Sequence, residues 1–180
     1  MLPPHPLVTP SPLIGLVGRA RAGKDSAVQI AMALRPGKIA RVAFADALKK
    51  QVAAALGIGV PELERHKSVF RAVLQAWGVA RRDWNGANYW IERVEDEVDA
   101  LRRTGKAAFV SDVRFQNEAD WVRERGGALV RIVRPSFAAA APEHVSETEQ
   151  DGIKVDFTVE AVTLPELKTQ VEELLPKLGL

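Results

Sequence analysis

An apolar run, Leu13-Ile14-Gly15-Leu16-Val17, leads into Gly18-Arg19-Ala20-Arg21-Ala22-Gly23-Lys24-Asp25-Ser26, and a helical pattern follows. Gly-x4-Gly-Lys between a strand and a helix has the spacing of a phosphate-binding P-loop. Glycines let the backbone turn so that successive N–H groups line an anion-sized nest. The helix behind adds its positive N-terminal end, and a lysine at position 24 can reach terminal phosphates. The alternative is a glycine-rich turn with an ordinary surface lysine, which leaves the flanking strand and helix unexplained. The spacing predicts a nucleoside triphosphate cradle. One position departs from the common pattern: Asp25 stands where Ser or Thr usually binds magnesium, and Ser26 comes one residue later.

The rest of the chain alternates in the same way. Lys24 to Leu34 reads as a helix stopped by Pro36-Gly37, and Ile39 to Phe44 as a second strand. Asp46 is expected to cap a helix running to Leu56, with Leu48, Val52, Ala55 and Leu56 inward and Gly57 at its end. Short helices are expected over Pro61 to Lys67 and Ser68 to Trp77, the latter ending at Gly78, with Arg81 to Gly86 a polar loop. Ile91, Val94, Val98 and Leu101 mark one face of a helix from about Asn88 to Thr104. Ala107 to Asp112 is a buried-type strand, and Asn117 is expected to cap the next helix. Ala128 to Val133 is a further strand, and 136–152 reads as a loop. A short strand lies near Val155 to Val159. Thr163-Leu164-Pro165-Glu166 is a capping box whose helix turns Leu164, Leu167, Val171 and Leu174 to the core. Five strands separated by helices predict an α/β fold with a five-stranded parallel sheet, helices on both faces and right-handed crossovers. The ligand is expected at the carboxyl ends of the strands.

Composition narrows the function. The 180 residues divide into a lead-in, 1–12, with five prolines, and a single domain, 13–180. The lead-in lacks a basic segment, so it is not expected to be a secretory signal. No apolar run approaches the roughly 20 residues that span a bilayer. Zero cysteines exclude disulfides and thiolate metal sites, which fits a cytoplasmic protein. A formal net charge of +2 suits a phosphorylated small molecule at least as well as a nucleic acid, and no stable nucleic-acid partner is expected. Sixteen of the 25 basic residues are arginine, the better fork for phosphate oxygens.

Several side chains converge on the predicted ligand edge. Asp112 ends a strand and is the candidate for positioning magnesium, with Asp46 behind it; the plainer alternative is an Asp that caps a helix or turn. Arg21, Arg71, Arg114, Arg131 and Arg134 supply the positive charge that phosphoryl transfer needs. Lys49 fits a solvated lysine or a functional one equally well. Trp77 and Tyr89-Trp90 fit either core or a base platform. His144 has no second His at metal spacing.

Together these pieces resemble the phage-type deoxynucleoside monophosphate kinases, members of the P-loop nucleoside and nucleotide kinases. The resemblance rests on Gly-x4-Gly-Lys-Asp-Ser, then Phe44 to Lys49, Arg71 to Gly78 and Tyr89-Trp90. It is strongest at Ser111-Asp112-Val113-Arg114-Phe115-Gln116-Asn117-Glu118, and continues through Gly126-Gly127, Arg134-Pro135 and His144-Val145-Ser146-Glu147. It implies a P-loop kinase fold and ATP-dependent phosphorylation of a deoxynucleoside monophosphate to its diphosphate. It places Gly18, Arg21, Gly23, Lys24, Asp25 and Ser26 around ATP, with Asp25 and Ser26 on the Mg2+ side. Lys49, Arg71, Gly78, Trp90, Asp112, Arg114 and Glu118 line the acceptor site, and Lys24, Arg71 and Arg114 carry the catalytic charge. For Asp112 this competes with the magnesium role, and the acceptor role is favoured. Val79-Ala80 stands where the family often has a hydroxyl residue and then Asp. Glu160 to Thr163 replaces an Asn-containing turn. A homodimer is left open.

Two other functions are compatible with the same parts. One is a P-loop kinase of another phosphorylated small molecule, such as phosphomevalonate. The other is a nucleotide-dependent switch or nucleic-acid-handling ATPase, which would need a basic arm or appended module that this chain lacks.

Overall fold

Strand β1 (Leu13–Val17) alternates its side chains between two cores, and the sheet grows outward from it. In the computed structural model, which describes residues 10–135 and 149–180, β1 is followed by α1 (Lys24–Leu34), β2 (Ile39–Val42), α2 (Phe44–Leu56), α3 (Val60–Arg65) and α4 (Lys67–Asn85). Next come α5 (Tyr89–Glu92), α6 (Glu95–Arg103), β3 (Ala107–Val113), α7 (Gln116–Glu124), β4 (Ala128–Val133), β5 (Phe157–Glu160) and α8 (Leu164–Leu174). The strand order is β2-β3-β1-β4-β5, and every pairing is parallel.

Leu13 and Val17 face one core with Phe44, Trp90, Val98 and Trp121, beneath α2, α5, α6 and α7. Ile14 and Leu16 face the other with Val28, Ala31, Leu167 and Val171, beneath α1 and α8. The sheet is therefore covered on both faces, as parallel strands require. A third cluster of Val52, Ala53, Leu63 and Leu74 holds α3 and α4 against α2.

Several expected boundaries are corrected. Gly78 does not end α4: it has no left-handed backbone, whereas Gly86 adopts φ 102 and stops the helix. The expected polar loop from Arg81 is thus the last turn of a 19-residue helix. The helix expected over 88–104 is broken at Arg93-Val94. Tyr89, Trp90 and Ile91 are all buried, which one face of a surface helix cannot achieve, whereas α6 buries only Val98 and Arg102. Strand β2 stops at Val42, Phe44 opens α2, and Asp46 lies inside the first turn rather than capping it. Ala55 and Leu56 point outward, as does Leu164. Asn117 sits inside α7 and its amide donates to the Ala87 carbonyl. The capping box at Thr163 and Glu166 is present.

Candidate active site

The loop after β1 is shaped by three unusual backbone positions. Gly18 has φ 150, and a Cβ there would lie 2.4 Å from the carbonyl oxygen of Ile132, so only glycine lets the loop cross β4. Gly23 has φ 103 and forms the N-cap of α1 without a side-chain cap. Arg21 has φ 64, the positive φ among the described residues that is not at a glycine. Backbone strain of this kind costs of order 1–3 kcal/mol and gathers at ligand clamps. No side chain at the N-cap satisfies the first N–H groups of α1, and the helix dipole favours an anion there. Lys24 Nζ donates to the carbonyl oxygens of Gly18, at short range, and Arg19, at 3.0 Å, so its ammonium lies against the loop. Arg19 is tied to Asp151 at 2.7 Å, which anchors the loop to the 150–152 turn.

Asp25 is in the first turn of α1, largely exposed, and 3.6 Å from Arg41 Nε on β2. Ser26 follows, half-buried. Among the described residues there is no cluster of three or more His, Cys, Asp or Glu that could cage a metal. Magnesium seldom needs such a cage, since it keeps waters and phosphate oxygens and takes one or two protein ligands. A carboxylate and a hydroxyl beside an open helix N-terminus fit that mode.

Arg41 also binds Asp46 at 2.6 Å, and Asp46 meets Lys49 at 3.3 Å. Lys49 in turn reaches Glu64 on α3 at 2.5 Å. Burial works to raise the Asp46 pKa, but the Arg41 hydrogen bond and the two positive charges outweigh it and hold the carboxyl below its ordinary value. Burial likewise opposes the charge on Lys49, and Glu64 with Asp46 overcomes it. This chain of ion pairs links the first turn of α1 to α2 and α3.

At the end of β3, one strand from the loop, the second group gathers. The two oxygens of Asp112 accept the backbone N–H groups of Phe44, at 2.9 Å, and Ala45, at 2.8 Å. Asp112 thus caps α2 from another strand. Burial raises its pKa despite those hydrogen bonds. Glu118 is 4% exposed, and its Oε2 accepts from the N–H groups of Arg114, at 2.7 Å, and Phe115, at 3.2 Å. Its other oxygen lies 3.9 Å from Arg82. Burial, aided by the nearby Asp112 charge, pushes the Glu118 pKa up to about 7. The Arg82 guanidinium stacks on the Phe115 ring, 3.8 Å from its centroid.

The structure brings some expected residues together and not others. Asp112, Arg114 and Glu118 share one turn, and Lys49 joins the Asp46 ion-pair chain. Arg71 is exposed on α4, on the helical face that also carries Gly78 and Arg82. Trp90 is buried in the core, and its indole N–H donates to the Gly78 carbonyl at 3.2 Å, locking α5 to α4. Arg131 donates to the carbonyls of Gln150 and Ile153, a structural task. The motif His144 to Glu147 lies outside the described residues. Sequence reasoning missed Arg41, Arg82 and Ser111. Ser111, inside the Ser111-to-Glu118 motif, has its hydroxyl buried without a hydrogen-bond partner among the described residues.

No protein-family model matches the chain. A solved structure from Chloroflexus aurantiacus, titled a "putative kinase", superposes with a TM-score of 0.51 at 14% identity, covering 94% of this chain and 98% of that one. The fold is that of a P-loop kinase. Shikimate kinase from Aquifex aeolicus superposes with a TM-score of 0.49 at 15% identity, over 93% and 98% of the two chains. In sequence, the chain resembles deoxynucleotide monophosphate kinases: 45 residues are 53% identical to a protein of Acanthamoeba polyphaga mimivirus named "Putative deoxynucleotide monophosphate kinase". That match covers 25% of this chain and 23% of the mimivirus protein's length. Among the described residues no helix is long and apolar enough to cross a membrane.

Proposed function

We propose that this P-loop kinase fold transfers the terminal phosphoryl group of ATP to a deoxynucleoside monophosphate. The observation that carries the reading is adjacency: the phosphate cradle ends β1, and the buried carboxylate–arginine cluster ends β3, its hydrogen-bonded neighbour. Adjacent strands lie about 4.8 Å apart, so donor and acceptor groups held at these two ends meet over one sheet edge. The mimivirus relative's name supports the acceptor class.

In this reading an oxygen of the acceptor's phosphate attacks the terminal phosphorus of ATP. The bond to the bridging oxygen breaks, and ADP leaves with that electron pair. Gly18, Arg21, Gly23 and the first N–H groups of α1 hold the ATP phosphates, and Lys24 swings from the loop carbonyls onto the transferring group. Asp25 and Ser26 would hold Mg2+, which would supply neutralisation of the phosphate charge. Arg114 and Arg71 clamp the acceptor phosphate in line, while Glu118 and Asp112 order the turn and α2 that shape its pocket. Arg41 and Lys49 keep α1, α2 and α3 in register around it.

Incubation of the purified chain with ATP, Mg2+ and a panel of phosphorylated acceptors tests this. The panel holds deoxynucleoside and ribonucleoside monophosphates and a phosphorylated alcohol. The expected product is a deoxynucleoside diphosphate with matching ADP. Turnover of the phosphorylated alcohol alone, or ATP hydrolysis indifferent to every acceptor, overturns the reading.

A further inference from the structure

Two buried polar side-chain atoms lack a hydrogen-bond partner among the described residues, the Ser111 hydroxyl and the Trp121 indole nitrogen. A native fold rarely leaves such a group unmatched without a use for it. Trp121 packs edge-on to Phe44 in the core beneath α2. Ser111 is 2% exposed, and the strand register places it on the other face of the sheet. β1 and β3 run in step from Leu13 and Ala108 to Gly15 and Val110, then resume at Val17 and Val113, so β3 carries one extra residue opposite Leu16. A bulge of this kind re-aims side chains at a strand end. Before it, Phe109 faces α1 with Ala27, Val28 and Ala31, and Val110 faces the α2 side. Alternation returns Ser111 to the α1 face. Asp112 turns to the α2 face, where its two oxygens accept the N–H groups of Phe44 and Ala45. The carboxylate that the motif offers to a cation is thus engaged on the opposite side. The group left at the strand end beneath α1 is a hydroxyl.

We infer that Ser111 is a positioning residue on the donor side, its hydroxyl accepting a hydrogen bond from a water that Mg2+ keeps when it binds with ATP. The inference rests on the reading that the loop after β1 and the first turn of α1 hold ATP. The helix that covers this face opens with Lys24, Asp25 and Ser26, the residues assigned to the phosphates and the cation. A neighbouring side chain marks the direction. Arg41 on β2 pairs in register with Phe109, so it stands on the same face, and it reaches Asp25 in the first turn of α1 at 3.6 Å. Magnesium takes one or two protein ligands and keeps several waters, and those waters need acceptors of their own. A hydroxyl supplies an acceptor without burying a further charge beside Asp25.

Calorimetric titration of the full chain with the β,γ-imido analogue of ATP, with and without Mg2+, tests this in the absence of turnover. The wild type is expected to bind the analogue more tightly with Mg2+. Ser111→Ala is expected to weaken binding about tenfold or more with Mg2+, the usual cost of removing a group that orients a metal's ligands, and to leave binding without Mg2+ level. Thermal unfolding supplies a second readout. The ligand-free Ser111→Ala protein is expected to melt at or above the wild-type temperature, because the change removes a buried hydroxyl that has no partner. A hydroxyl that served the fold alone would lower it. Asp112→Asn is expected to do the reverse: it weakens the cap on α2 and lowers the melting temperature, while the gain from Mg2+ persists. Equal affinities of wild type and Ser111→Ala with Mg2+, an equal loss with and without it, or a Mg2+-dependent loss at Asp112→Asn in place of Ser111→Ala would each overturn the inference. So would a wild type that holds the analogue no better with Mg2+ than without. A wild type that does not bind the analogue at all would remove the donor-side reading together with the inference.

Discussion

Glu118 makes the stability of this fold depend on pH in an unusual direction. Its carboxyl is buried, with an ordinary pKa of 4.5 raised to about 7. A carboxyl whose folded pKa is raised contributes its full stability below the unfolded value and loses it as pH climbs through the folded value. Between about pH 5 and about pH 7 the folded state therefore holds a proton that the unfolded state has released, and it gives that proton up by about pH 8. Each pKa unit corresponds to about 1.4 kcal/mol, which sets the loss at no more than about 3 kcal/mol across that window. The lowered carboxyls Asp46 and Glu64 act in the opposite sense and below their ordinary values, so they do not mask it. Glu118→Gln is the perturbation. One amide oxygen can still accept the N–H groups of Arg114 and Phe115, both of which now meet a single carboxylate oxygen. Urea unfolding of both proteins, followed by circular dichroism at several pH values from about 5 to about 8, gives the stability difference directly. The wild type is expected to weaken towards the alkaline side more steeply than the variant, with the contributions of Asp112 and of the histidines cancelling in the difference. Parallel curves for the two proteins would refute the argument and leave the buried carboxyl without a titration near neutrality.

Other outcomes follow from the same geometry. Lys24→Ala is expected to fold normally, since its ammonium lies against loop carbonyls, and to lose at least about 100-fold in phosphoryl transfer; near wild-type turnover would remove the phosphate cradle from the mechanism. Ser26→Ala is expected to lower the magnesium-dependent rate more than Asp25→Asn does, because Arg41 stands beside Asp25. A larger loss at Asp25 with a raised magnesium requirement would reverse the assignment. Arg114→Ala is expected to raise KM for the monophosphate about tenfold or more while leaving KM for ATP within about twofold, with a lower kcat. Steady-state kinetics varying each substrate decide it, and an effect on ATP alone would move the turn after β3 to the donor side.

What the sequence disclosed and what it hid divide along the range of the interactions. The bounds of α1, the left-handed Gly57 after α2 and the capping box of α8 rest on signals within a few residues of each other, and each was readable. Gly78 and Gly86 look alike as letters. Only the packing of α4 against α2 and α5 decides that the first continues the helix and the second ends it. Reading a loop after Gly78 also concealed Arg82, whose partner Glu118 belongs to another element. Asp112 shows the same effect. Its motif and strand end were evident, but the backbone groups it caps begin α2, 67 and 68 residues earlier in the chain. Arg41 hid inside a strand, where alternation suggests only an edge residue.

The strand order also has a bearing on how the protein comes into being. The Gly18 to Ser26 segment is contiguous and near the start, yet none of its neighbours in the sheet is. Leu13 pairs with Ala108 and Ile14 with Ala128, and the loop's first glycine lies against Ile132. Closing such distant pairs is an entropic cost met late in folding. A nascent chain that has emerged from the ribosome only as far as α6 therefore carries the whole phosphate-binding motif as letters while lacking both strands that give it shape. The loop takes its shape only once β4 docks beside it.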